Sequence, residues 1–210
     1  MAFDFKKEYK EFYLPPAKPQ LVTLPAMNFV AVRGSGDPNE AGGAYQRALG
    51  LLYGLTFTLK MSPKAGYKME GFFEYALPPL EGLWWQEGVA GVDYSDNAGF
   101  NWISMIRLPD FVSREDFAWA KGEAERKKKS DFSAAEFFTY EEGLCVQCLH
   151  IGDYDAEPAT VRLMHEFAAQ QGYVPDMENG RLHHEIYLSD ARRVARDKLR
   201  TVVRHPICKG

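Results

Sequence analysis

The sequence predicts an α+β protein made of two pseudo-symmetric βαββ units, with an antiparallel sheet and the helices on one side. Two observations carry this. The order strand, turn, helix, strand, strand runs from about residue 21 to 112 and recurs from about 136 to 207, with one extra helix inserted at about 113–129. Strands linked by short turns, with few helices between them, favour α+β over a parallel doubly wound sheet. Residues 1–210 are therefore read as one domain.

Residues 3–14 read as a short helix or an extended arm, stopped by Pro15 and Pro16. "LVTLPAMNFVAVRG" is a strand centred on Phe29–Val32, and "GSGDPN" a turn cluster. Ala44, Ala48, Leu51, Leu52, Leu55 and Leu59 recur at helical spacing, ended by Pro63 and Gly66. "GFFEYAL", then "PPLEGLWW", reads as a second strand region, and "NWISMIRLPDF" as a third strand. Ser113 opens the inserted helix with a capping-box pattern, S-x-x-D, and its lysine-rich end suits a helix C-terminus. "EFFTYEEGLCVQCLHIG" predicts two strands around a turn at Glu142-Gly143, with Gly143 at positive φ. Pro158–Gln171 is helical, Leu182–Leu188 is a strand, and "KLRTVVRHPI" is the last strand. Aligning "FFEYAL" with "HHEIYL" sets Glu74 against Glu185.

The net charge of −4 lacks the basic excess of a nucleic-acid binder. The first residues carry no apolar signal region, no apolar run spans a membrane, and three cysteines do not make a disulfide framework. Together these predict a soluble cytoplasmic protein. Aromatic residues at 14% exceed what packing asks and suit an aromatic-lined pocket.

Strand alternation in "RLHHEIYLSD" sets His183, Glu185 and Tyr187 on one face, with Leu182, His184, Ile186 and Leu188 on the other. The first row is either wet surface or the floor of a binding site. Of Trp84 and Trp85, one should pack inward and one should face a groove, with Pro78-Pro79 and Gly82 obscuring which. Tyr75, Trp102, Met105 and Tyr140 are weaker candidates for the same wall. Cys145 and Cys148 sit three apart on a strand and face opposite sides, so no metal or redox pair is expected. Adjacent His183 and His184 likewise point apart, and "GSGDPN" has no phosphate-loop lysine. No metal or cofactor is predicted.

The stretches "VRGSGDPN", "PPLEGLWW", "MIRLPDFV", "EEGLCVQCLHIGDYDAEP", "HHEIYLSDARRV" and "KLRTVVRHPI", in this order, resemble the GyrI-like small-molecule-binding family in its stand-alone form. The resemblance implies two βαββ units around a ligand groove. It also implies a buried glutamate, here Glu185, facing flat aromatic and often cationic ligands. Related domains sense drugs within transcription regulators, and some stand-alone members hydrolyse cyclopropane-bearing DNA-alkylating compounds. No helix-turn-helix is legible, so no direct nucleic-acid contact is expected. Two functions remain open: a binder of flat aromatic compounds for xenobiotic protection, or a hydrolase. In the hydrolase Glu185 would act on water, with Tyr187 or His183 donating to the developing oxyanion.

Overall fold

The computed structural model describes residues 2–89, 91–178 and 180–210. Two short helical turns, α1 (Phe5–Glu8) and α2 (Lys10–Tyr13), precede β1 (Gln20–Ser35), α3 (Ala44–Lys60), β2 (Leu80–Trp85) and β3 (Asn101–Arg107). Then follow α4 (Arg114–Lys128), β4 (Glu136–Ile151), α5 (Glu157–Gln170), β5 (Tyr173–Pro175), β6 (His183–Tyr187) and β7 (Arg200–Lys209).

The strands pair antiparallel in the order β4-β1-β3-β2-β6-β7, and β4 also pairs with β7, so the sheet closes on itself as a barrel-like ring. Closure removes the exposed edges an open sheet would present. The pairing order β1–β3–β2 in the first half recurs as β4–β7–β6 in the second, and the β1–β4 and β2–β6 ladders join the halves. The short β5, which the sequence did not announce, adds to the outer end of β7.

The helices lie on the outer face. α3 and α4 bury Leu52, Leu55, Leu59, Phe117 and Ala120 against Val30, Val32, Trp102 and Ile106. α5 buries Met164 and Ala168 against Val146, Cys148 and Val203. α4 starts as its sequence predicts, with Ser113 and Asp116 exchanging capping-box hydrogen bonds.

Inside the ring, Phe29, Ala31, Leu83, Ile103, Met105 and Cys145 pack together. They share the interior with a buried ionic network. His184 Nδ1 lies 3.0 Å from Glu142 Oε2, and its Nε2 lies 3.0 Å from Glu81 Oε2. Arg204 donates to Glu142 Oε2 at 2.9 Å and to Gln147 Oε1 at 3.1 Å. The N-terminal turns close one end: Arg204 donates to the Phe12 carbonyl, Tyr13 donates to Glu81, and Phe5 and Tyr13 pack on Ile186 and Val202.

Two expected strands differ. "GFFEYAL" makes only an isolated bridge, Phe3 to Tyr75, and the ladder begins at Leu80. Pro78 and Pro79 have no N–H to give a ladder, so pairing starts after them. Glu185 therefore stands opposite Gly82, and Glu74 is not its counterpart. The second difference is at Glu142-Gly143, which is no hairpin: β4 runs straight through it. Gly143 does have positive φ, +70°, and the inward alternation of β4 shifts there, with Phe138 and Tyr140 before it and Cys145 after it in one cluster. Pro25 falls opposite Glu142 and offers no N–H, and Arg181 takes up the carbonyls of Glu142 and Leu144. A Cβ at Gly143 would meet only Arg181 Nη2, at an ordinary 3.8 Å, so a side chain there suffers first from its backbone and not from overlap of its Cβ. Gly143→Val should lower unfolding free energy by roughly 1–3 kcal/mol. An unshifted urea midpoint would contradict this account of the shift in alternation.

Candidate functional site

β6 is a strand between two strands, so its alternation is imposed on both sides by β2 and β7. His184 and Ile186 point into the ring, and His183, Glu185 and Tyr187 point out, into the space between α3 and α5. This row is not wet surface. His183 is 1% exposed and Glu185 8%.

His183 Nε2 lies between two carboxylates, 3.0 Å from Glu185 Oε1 and 3.2 Å from Glu157 Oε1 at the start of α5. Glu157 is fully buried. Its Oε1 accepts from the Tyr94 hydroxyl at 2.7 Å, and its Oε2 has no partner. Tyr94 rides on the β2–β3 loop, which the Gln86 side chain pins by hydrogen bonds to the backbone of Asp93 and Asp96. On the other side of Glu185, Trp84 Nε1 donates to the Tyr187 oxygen at 2.9 Å, leaving the Tyr187 O–H free to donate. Tyr154 stands edge-on to Tyr187, and Tyr45 from α3 packs on both Trp84 and Trp102.

Burial, then the charge of Glu157, raises the Glu185 carboxyl above its ordinary range, against the opposing pull of His183. Burial pulls the His183 imidazole down, but its hydrogen bonds to Glu157 and Glu185 outweigh this and hold it at about 9. Burial and the Glu185 charge raise Tyr187, and raise Tyr154 to about 12, so both remain O–H donors at neutral pH. Donor atoms of Glu157, His183 and Glu185 lie within 4.8 Å of one another, close enough for a cation, and the His183 imidazolium supplies that charge itself.

A histidine held charged to about pH 9 in the fold, against 6.5 when unfolded, contributes its full stability below pH 6.5 and loses it as pH rises through 9. His184, raised by Glu142 against its burial, acts in the same direction. The melting temperature should therefore fall between pH 7 and pH 9, with a shallower fall in His183→Gln. A flat profile across that window would refute this.

Gly82, opposite Glu185, makes the cluster possible. A Cβ there would stand 2.6 Å from Trp84 Nε1 and 3.2 Å from the Tyr187 oxygen. Gly82→Ala should displace both and cost on the order of a hundredfold in turnover or ligand affinity, as ångström-scale misplacement does. Parental kinetics in a folded Gly82→Ala would remove Gly82 from the site.

The structure thus gathers His183, Glu185, Tyr187 and Trp84 on the outer face of the sheet, with Trp84 and not Trp85 beside Tyr187. Trp102 lies behind Tyr45, in the second layer of the same wall. Trp85, Met105 and Tyr140 belong to the ring interior, on the opposite face of the sheet. Tyr75 is away from Glu185, packed on Phe5 and Phe111, because its segment never enters the ladder. Sequence reasoning missed Glu157, Tyr45, Tyr94, Tyr154 and Gly82. Glu157 falls just before the helix read as Pro158–Gln171, and Tyr94 lies in a loop with no periodicity to read. Nor is the site marked by cavity size: a concavity of about 610 Å³ opens elsewhere, between β1, α3 and the end of α4.

A closed antiparallel ring with α3, α4 and α5 on its outer face holds a buried carboxylate among aromatic residues between α3 and α5, and the family match gives this frame its class, a small-molecule-binding domain. The chain belongs to the family described as the GyrI-like small molecule binding domain, which matches residues 17–207. It is similar to three solved structures from Listeria innocua. One, an uncharacterized conserved protein, is 42% identical with a TM-score of 0.92, covering 98% of this chain and 100% of that one. Two are described as hydrolases. The first is 39% identical with a TM-score of 0.89, covering 98% and 100% of the two chains. The second is 41% identical with a TM-score of 0.91, covering 99% and 100%. No curated protein matches. Among the described residues, no helix is long and apolar enough to cross a membrane.

Proposed function

We propose that the protein is a cytoplasmic hydrolase of flat aromatic small molecules that opens a strained, electron-poor ring such as a cyclopropane conjugated to a dienone. The observation that carries this is Glu185, a carboxylate of raised pKa bonded to His183 beneath a set of tyrosine hydroxyls. Such a carboxyl is better matched to taking a proton near neutral pH than an ordinary surface glutamate. Water attacks the ring carbon, its O–H bond breaks, and Glu185 takes the proton. The ring C–C electrons flow to the dienone oxygen, which becomes a phenolate and accepts from Tyr187 or Tyr154. Tyr45, partly exposed and packed on the nearly buried Trp84, offers a ring against which a planar substrate would stack. The hydrolase descriptions of two relatives near 40% identity support this reading.

The second reading is a binder of cationic aromatic compounds. It is favoured by the two buried carboxyl groups of Glu157 and Glu185, which converge on one histidine. Incubation with a spirocyclopropyl dienone separates the two. Ring-opened product by mass spectrometry supports the hydrolase, whereas unchanged compound with quenched tryptophan fluorescence leaves a binder alone.

A further inference from the structure

His183 does not end at Glu185. Its Nδ1 lies 2.7 Å from His205 Nε2 on β7, and His205 Nδ1 lies 2.7 Å from His165 Nε2 on α5. His183 and His205 are each 1% exposed, and His165 is half-buried at the protein surface. Both ring nitrogens of His183 and His205 are therefore spent within one chain of contacts that starts at the Glu185 carboxyl and reaches solvent at α5. We propose that His183, His205 and His165 form a proton relay that links Glu185 to bulk water on the side away from the ligand. This rests on the hydrolase reading for its purpose, but not for its existence.

The relay answers a need of the site. Glu185 is only 8% exposed, and a substrate seated on it would cover what remains, so the base needs another route to exchange its proton. Starting from a protonated Glu185 beside a His183 that carries its one proton on Nδ1, the bonds shift one place each, and the His183 imidazolium is the species passed through on the way. The Glu185 O–H breaks as His183 Nε2–H forms. His183 Nδ1–H breaks as His205 Nε2–H forms, and His205 Nδ1–H breaks as His165 Nε2–H forms. His165 Nδ1–H then breaks to a water molecule. One proton leaves Glu185 and one enters solvent, and the reverse shift reloads it. The charged groups facing the relay are Glu157 from α5 and Glu185 from β6, with the Tyr94 ring edge-on to His183. Burial, then the charges of His183 and His165, holds His205 well below the ordinary histidine value. A neutral ring with one donor and one acceptor nitrogen is what a relay requires. His205 and His165 are positioning residues that act through His183.

Glutamine can accept or donate a hydrogen bond in place of a histidine but cannot pass a proton through itself. With ¹⁵N-histidine-labelled, ligand-free protein, the His183 ring protons should exchange with water at least about tenfold more slowly in His205→Gln and in His165→Gln than in the parent. Parental exchange in a folded His205→Gln overturns the relay. If that variant does not fold, parental exchange in His165→Gln, whose site is half-buried, overturns it. With the spirocyclopropyl dienone, both variants should lose kcat by a similar factor at unchanged KM, and an unchanged kcat overturns the relay. A parent that turns over no substrate overturns the hydrolase reading alone, and the exchange rates still decide the relay.

Discussion

Glu185→Gln should lower ring-opening turnover by roughly a hundred- to ten-thousandfold, the usual worth of a positioned general base, while affinity for neutral flat aromatics stays. The exchange keeps shape and removes charge. Trp84, Tyr45 and Tyr187 remain to stack a ligand, because their contacts with one another do not run through the carboxylate. Cationic aromatic dyes should weaken by about ten- to a hundredfold, equivalent to losing a charge-assisted contact of roughly 1.5–3 kcal/mol. Turnover and dye affinity, measured side by side for parent and variant, check both statements. Equal turnover would take the chemistry away from Glu185, and equal affinity for cationic dyes would take the charge out of recognition.

Glu142→Ala should be the most damaging single change to stability, costing about 3–5 kcal/mol, because it leaves buried charges without their partner. Glu142 binds both His184 and Arg204 inside the ring, where these are 0% and 1% exposed. Against such total stabilities as 5–15 kcal/mol this is a large fraction. Replacing the partners together, Glu142→Leu and Glu81→Leu with His184→Leu and Arg204→Met, should be much milder than Glu142→Ala, since no buried charge is stranded. Against the cost of burial, the charges of His184 and then Arg204 hold the Glu142 carboxyl down at about 2, below its ordinary 4.5. Its contribution is full above pH 4.5 and fades as pH falls toward 2, so acid unfolding should move to higher pH in the variant. A Glu142→Ala protein with the parental urea midpoint would mean that the network is neutral to stability.

The Glu185 row was legible because strand alternation is local: period two puts residues 183, 185 and 187 on one face whatever the rest of the chain does. Helices α3 and α5 and the α4 cap were legible for the same kind of reason, spacing and capping chemistry within a few residues. Gly143 was half legible. Its positive φ follows from the residue type, but a strand that shifts its alternation and a hairpin ask the same thing of a glycine. Tyr75, Met105, Tyr140 and Trp85 were wrongly grouped with Glu185 because an aromatic or thioether side chain carries no local sign of which face of a closed sheet it will occupy.

What the amino-acid sequence determined by itself was the element order, the doubled strand-helix-strand-strand pattern, and Glu185 with His183 and Tyr187 on a shared face. Only the tertiary structure decided that the sheet closes through β4 and β7, and so that one face of every ring strand becomes a sealed interior holding His184, Glu81, Glu142 and Arg204. It also decided that Glu157 and Tyr94 reach His183, and that His205 and His165 extend the chain of imidazoles to the surface. The reason is distance along the chain. Glu157 is far from His183 in sequence, and His165 lies 40 residues from His205. Such contacts exist only once helix α5 has packed across the ring, and no pattern within a single element encodes them.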